Sequence, residues 1–296
     1  MKGVTITTSR ESVAPASAEQ WAEAETREAR IANRSLMPMT PKRGRLIVIE
    51  GIDGSGKSTL ALNLHGKLCS QFARSGLDNV ILTREPYDPA PNGRDKGRIR
   101  AALQADSKVD PYQLAIMFAA DRFAHLEDVV LPALESGRDV VCDRYTLSTL
   151  AYQTLKLPEE FVFQLVQAAP KPDITVLLDM DPQLARDRLL ARGLPLESYE
   201  RNVETQVALR ENYLRYIADR RYFGDGETFV LPVNDFPAQH IAVQVYQFLT
   251  LGPDHMLVKP LPSVSVPFTR ESHDVIAVRN LAHMPFCVTL GEPDAA

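Results

Sequence analysis

Residues 51–58 read G-I-D-G-S-G-K-S, a complete G-x4-G-K-[ST] pattern. Glycines let consecutive backbone N–H groups turn inward into a nest that holds an anion. A helix starting directly behind the loop adds the positive end of its dipole. Lys57 supplies charge for the outer phosphates, and the Ser58 hydroxyl is suited to ligating Mg2+. Gly51, Asp53, Gly54, Ser55, Gly56, Lys57, Ser58 and Thr59 are therefore the candidate residues for binding ATP. Asp53 is electrostatically awkward among phosphate-binding amides. Either it caps its own turn, or it faces away from ATP towards the hydroxyl of an acceptor.

What the phosphate is held for must be read downstream. Arg84, Arg100, Arg122 and Arg144 fall at strand ends or on helices, where an α/β sheet gathers its ligands. Transfer between two polyanions needs positive charge around both. A lone arginine is more often a solvated surface charge. Arg84 and Arg144, each directly behind an apolar run, favour the functional reading. Asp143, at a strand end, has a plain reading as the ion-pair partner of a nearby arginine.

These residues need a frame. LIVIE (46–50), NVILT (79–83), RDVVCDR (138–144), DITVLLDM (173–180) and TFVLPV (228–233) read as short apolar strands without alternation, as parallel strands covered on both faces do. Helical patterns lie between them: Lys57 to about Ser75, with Gly76 as a cap; 110–135, with Asp110 as N-cap and Pro111 at the first position; 182–192; 197–221; and 237–249. Pro132 is expected to kink or split the second of these. The alternation over 45–251 predicts an α/β fold, a five-stranded parallel sheet with helices on both faces. Residues 1–44 form an extension and linker, with a helix starting near a Ser17/Gln20 capping box. Residues 252–296 form a proline-rich C-terminal extension with two strand-like runs, DVIAV and FCVTL.

Composition sets outer limits. Of 296 residues, 45% are hydrophobic and 24% charged, as in ordinary soluble globular chains. The net charge of −5 argues against a general nucleic-acid binder. No apolar run approaches a membrane span. The N-terminal stretch lacks the apolar core of a secretory signal. Cys69, Cys142 and Cys287 show no paired or metal-ligand spacing, which fits reduced thiols. The expectation is a cytoplasmic protein with small-molecule partners and no membrane.

TREP (83–86), FAADR (118–122), CDRYTLSTLAYQ (142–153) and RDRLLARG (186–193) follow EGIDGSGKSTL in order, each at its expected strand or helix. Over about residues 46–250 the chain resembles the thymidylate kinase family, the nucleoside monophosphate kinases that make dTDP from dTMP and ATP. The resemblance implies that this is a P-loop kinase fold with a lid. It also implies that Arg84, Arg100 and Arg144 hold the acceptor phosphate, and that Arg122 reaches a thymine oxygen. It makes Phe118, one helical turn before Arg122, the ring that stacks on thymine. Tyr152 becomes the aromatic residue beside the deoxyribose that disfavours a 2′-hydroxyl. Ser148, Thr149 and Gln153 surround the base, and Asp53 contacts the 3′-hydroxyl. The catalytic set is Lys57, Arg192, Arg144 and Asp143, with Ser58 and Asp143 on Mg2+ and Arg192 as the lid arginine. Arg188, one turn earlier, and Arg201 are its rivals. A homodimer is also implied.

The chain departs from the family pattern in two places. Tyr87 and Asp88 stand where two glycines usually follow TREP. The lid has Glu197 and Ser198 where an aspartate–arginine pair is usual. Two alternatives follow: a kinase for another deoxynucleoside monophosphate, or a catalytically weak nucleotide-binding regulatory module.

Overall fold

The structure is a computed structural model that describes residues 43–72, 79–87, 98–103, 108–193, 196–223, 226–234, 236 and 238–251. The expected helix near residue 17, Gly76, and the runs DVIAV and FCVTL lie outside the described residues.

Five strands form one parallel sheet: β1 (Leu46–Gly51), β2 (Val80–Arg84), β3 (Asp139–Asp143), β4 (Ile174–Asp179) and β5 (Glu227–Pro232), in the order β2-β3-β1-β4-β5. Every residue of β1, β3 and β4 is buried. Both faces are covered, which is why these strands carry apolar runs instead of alternation. Side chains still alternate in direction. Ile47 and Ile49 join one core cluster, while Leu46 and Val48 join the other. Helices α1 (Lys57–Phe72) and α10 (Ala238–Leu251) share an interface on the larger cluster's side. On the other face, Leu126, Val130, Ala133 and Leu134 pack with Val140 and Cys142.

Strand β1 is central, and the chain moves outward in opposite directions on its two sides. Such a switch point opens a crevice at the carboxyl ends of the strands. Register brings two site residues to that edge: Asp143 pairs with Arg84 on one side and with the core residue Ile49 on the other.

Helix α2 (Arg98–Leu103) precedes the long helix α3 (Pro111–His125). The Asp110 side chain accepts from Tyr112 N at 2.9 Å and Gln113 N at 3.2 Å, the N-cap expected from the sequence. Pro132 does not break the helix outright. Residues Leu126–Val130 form a π-helical turn, and α4 (Leu131–Glu135) continues from it. Leu131 N donates to Leu126 O, so the wider turn passes over the N–H that Pro132 lacks.

The chain then forms α5 (Thr146–Gln153), α6 (Glu159–Gln167), α7 (Pro182–Ala191), α8 (Val203–Ile217) and the short α9 (Arg220–Phe223). Helices α5 and α6 are absent from the sequence reading. The single helix expected over 197–221 is a turn followed by α8 and α9, because Asn202 caps α8 through Glu204 N at 2.9 Å.

Candidate active site

The phosphate loop leaves β1 at Gly51, whose φ is +142°. A Cβ there would sit 2.7 Å from Leu178 O. At Gly54, with φ +85°, a Cβ would sit 2.4 Å from the Ala185 carbonyl oxygen. Backbone cannot yield to such contacts, so both positions require glycine. Lys57 Nζ donates to Ile52 O at 2.7 Å across the turn. Burial, then the charge of Arg144, push its ammonium down to about 8 against the pull of Asp53. An arriving phosphate favours the charged form.

Beside Lys57, Ser58 Oγ donates to Asp143 Oδ2 at 2.5 Å. Asp143 Oδ1 is buried with no hydrogen-bond partner. A free carboxylate oxygen and a hydroxyl at the loop fit a hard cation that takes oxygen ligands. Among the described residues no group of three His, Cys, Asp or Glu side chains forms a metal cage. That suits Mg2+, which takes one or two carboxylates and completes its shell with phosphate and water.

Arg144 anchors the centre of the cleft. Among the described residues it is the non-glycine residue with positive φ, 71°, and it follows the end of β3. Its backbone N–H still donates to Ile49 O at 2.9 Å. Nη1 donates to Ser148 Oγ at 3.0 Å, Tyr213 Oη at 2.9 Å and Gly51 O at 3.3 Å. Nη2 bonds Asp53 and lies 3.2 Å from Tyr152 Oη. Tyr152 Oη donates to Asp53 Oδ2 at 2.6 Å. Burial acts to raise the Asp53 carboxyl, but Arg144 and then Lys57 outweigh it and hold it below its usual value. Asp53 thus bonds Arg144 and Tyr152 across the cleft.

Beneath this lies Glu50, fully buried. It accepts from Tyr145 N at 2.9 Å, Ser148 N at 3.1 Å and Ser148 Oγ at 2.6 Å. Burial raises its carboxyl above the usual range, though these bonds and Arg144 oppose the rise. Glu50, Ser148 and Tyr213 together fix the guanidinium of Arg144.

A second arginine closes the far end. Arg122 Nε and Nη2 donate to Glu85 Oε2 at 2.9 and 2.6 Å, and Nη2 also donates to Thr149 Oγ1 at 2.7 Å. Arg122 Nη1 is buried without a partner. Phe118 stands one turn before it on the same face of α3 and lines the same cleft. Arg84 is exposed at the end of β2, and Arg100 is exposed on α2. Both line the cleft with Arg144.

The lid begins where α7 ends. Arg192 lines the cleft, with Gly193 behind it at φ +68°. Arg188 is turned away, with Nη2 3.4 Å from Asn234 O. Ser198 Oγ and N both donate to Leu103 O, at 2.7 and 3.2 Å, tying the lid to the helix that carries Arg100. Burial, followed by Glu200 and Asp53, raises the Glu197 carboxyl.

A family model for thymidylate kinase matches residues 49–224. The chain belongs to the thymidylate kinase family. A probable thymidylate kinase of Pyrococcus abyssi is 41% identical over 181 residues, covering 58% of this chain and 82% of the relative. One from Pyrococcus horikoshii is 38% identical over 180 residues, with the same coverage of 58% and 82%. The crystal structure of thymidylate kinase from Ehrlichia chaffeensis aligns with a TM-score of 0.53 at 24% identity, covering 71% of this chain and 99% of that one. That likeness concerns the fold, which is the expected α/β P-loop kinase. Family membership makes this chain an enzyme of the phosphotransferase class.

The residues expected to bind the acceptor (Asp53, Arg84, Arg100, Phe118, Arg122, Arg144, Ser148, Thr149, Tyr152 and Gln153) all line one cleft with Gly54, Gly56, Lys57, Ser58, Thr59, Asp143 and Arg192. Gly51 and Ser55 shape the loop from behind, Gly51 accepting from Arg144 and Ser55 buried. Sequence reasoning assigned no role to Glu85, Pro86, Tyr145 or Tyr199, which also line the cleft. Glu85 and Pro86 were within reach, since they complete the TREP stretch. Tyr87, the first departure from the family, is not among the lining residues, and 88–97 lie outside the described residues.

Proposed function

We propose that the chain phosphorylates dTMP to dTDP with ATP in the presence of Mg2+. The observation that carries this is Arg122 Nη1, a buried donor without a protein partner on an arginine that lines the same cleft as Arg84, Arg100 and Arg144. A buried donor left unpaired costs free energy, and a thymine oxygen would satisfy it. Phe118 supplies the stacking surface, Thr149 and Gln153 line the base, and Tyr152 with Asp53 meets the sugar. Ser58 and Asp143 would hold Mg2+, which when bound would supply positive charge against the phosphates.

The chain's own part in the transfer is positioning and charge. The loop amides and Lys57 bind the phosphates of ATP. Arg144, Arg84 and Arg100 orient the acceptor phosphate in line. That phosphate is already ionised near neutral pH, so no general base is required. Arg192 stabilises charge spreading over the transferred phosphoryl group, and the lid around it excludes water.

The protein is proposed to act in the cytoplasm on small molecules, without nucleic acid; no helix among the described residues is long and apolar enough to cross a membrane. A homodimer is proposed through α3, where Tyr112, Ile116 and Phe123 expose apolar surface along one face. Residues 1–44 and 252–296 are proposed as extensions outside the catalytic domain. The test of the reaction is ADP production with each deoxynucleoside monophosphate in turn.

A further inference from the structure

Strand β2 ends at Arg84, and Glu85 and Pro86 form a bend behind it that leads to Tyr87. Arg84, Glu85 and Pro86 line the cleft. Thr83, Glu85 and Tyr87 all engage α3, and all three meet one residue there. His125 Nε2 lies 2.6 Å from Thr83 Oγ1, and His125 Nδ1 lies 3.4 Å from Glu85 Oε1. The Tyr87 ring stacks on the imidazole with centroids 4.8 Å apart and planes at 22°. Tyr87 N also donates to Asp121 Oδ2 at 2.7 Å. His125 is 0% exposed and does not itself line the cleft.

We propose that His125 is a positioning residue that fixes the spacing between the phosphate-binding Arg84 and the base-reading Arg122, by docking alternate residues of the Thr83–Tyr87 segment onto α3. This rests on the functional reading above, because it assumes an acceptor that spans both arginines.

The physical argument runs through three contacts. His125 meets Glu85 at Nδ1 and the Thr83 hydroxyl at Nε2, so each ring nitrogen has its own partner on the segment. Those two bonds set the tilt of the ring. The same Glu85 carboxylate holds Arg122 through Nε and Nη2, so the ring's position is passed to the guanidinium that reads the base. Thr83 and Glu85 flank Arg84 in the chain, so the backbone that carries Arg84 is held by the same ring. Asp121 and His125 share one face of α3, at i and i+4, and Arg122 lies next to Asp121 in the chain, which lets a single helix grip the segment. Tyr87, where the family usually has glycine, closes the stack from outside. The departure after TREP therefore strengthens this docking without entering the cleft.

The test separates positioning from general stability by comparing two acceptors. One is dTMP, which spans both ends; the other is 2-deoxyribose 5-phosphate, which lacks the base. In His125→Ala, kcat/KM for dTMP should fall by about 10- to 100-fold. The KM for ATP and kcat/KM for deoxyribose 5-phosphate should fall far less, so the ratio between the acceptors collapses. His125→Gln, which keeps a donor and an acceptor, should recover part of the ratio. If His125→Ala does not fold, Thr83→Val carries the same comparison, because it removes only the bond that sets the ring. An unchanged ratio, or equal loss with both acceptors and with ATP, would overturn the proposal. If the wild type prefers another monophosphate, the functional reading fails. The same ratio, measured with that nucleotide, still decides the role of His125.

Discussion

Arg122 and Glu85 form an ion pair in which Nε and Nη2 both donate to Oε2, at 2.9 and 2.6 Å, and the side chains are only 3% and 5% exposed. Two charges that deep are tolerated because each neutralises the other. Arg122→Met should therefore destabilise the fold by about 3–5 kcal/mol, since it leaves a buried carboxylate uncompensated. The double variant Arg122→Met/Glu85→Leu should lose less than the single one. Thermal denaturation of the three proteins decides this. A double variant that melts below the single variant would show that the pair is not coupled as described.

The short contact between Ser58 and Asp143, with the Asp143 Oδ1 left unpartnered, carries the Mg2+ assignment. Asp143→Asn should raise the Mg2+ concentration needed for half-maximal turnover and lower the limiting rate by about 100-fold or more. Ser58→Ala should act in the same direction. Chelation with EDTA should stop turnover in the wild type. A Mg2+ titration that superimposes for wild type and Asp143→Asn would remove Asp143 from the metal site.

Three lid arginines compete for the transition-state role, and their positions differ. Arg192 lines the cleft, Arg188 is held at Asn234, and Arg201 is not among the lining residues. Arg192→Ala should lower kcat by about 1,000-fold or more with little change in ATP affinity. Arg188→Ala and Arg201→Ala should stay within about tenfold of wild type. Single-turnover kinetics measures the difference, and a larger loss in Arg201→Ala would move the role to that residue.

Tyr112, Ile116 and Phe123 are 46%, 52% and 48% exposed on one face of α3. A second copy of the chain would cover them. The pair Ile116→Glu/Phe123→Glu should convert a dimer to a monomer in light scattering, since it puts charge into an apolar contact. A wild-type protein that is monomeric at micromolar concentration would rule out this assembly.

How much of this was legible beforehand depended on distance along the chain. The phosphate loop, the strand-end arginines and the N-cap at Asp110 are local signals, and the structure has them where the residues imply. Helices α5 and α6 were missed, one of them because Thr146–Gln153 was read as a motif and not as an element. The π-helical turn before Pro132 was not foreseen either, since propensity marks where a helix must yield but not how. The supports of the site lay furthest out of reach. Glu50 and Ser148 are bonded across 98 positions, and Tyr213 and Arg144 across 69. Each of those residues looks ordinary in its own neighbourhood, and only the fold brings them together. The same holds for His125, whose partners Thr83 and Glu85 lie 42 and 40 positions away.

The most direct test of the account is a steady-state assay of ADP release with ATP and Mg2+, offering dTMP, the other deoxynucleoside monophosphates and unphosphorylated thymidine separately. The account predicts turnover that is strongest with dTMP and absent with thymidine, because the arginines at the acceptor site require a phosphate. Preference for another monophosphate, efficient use of thymidine, or ATP binding without any transfer would contradict it.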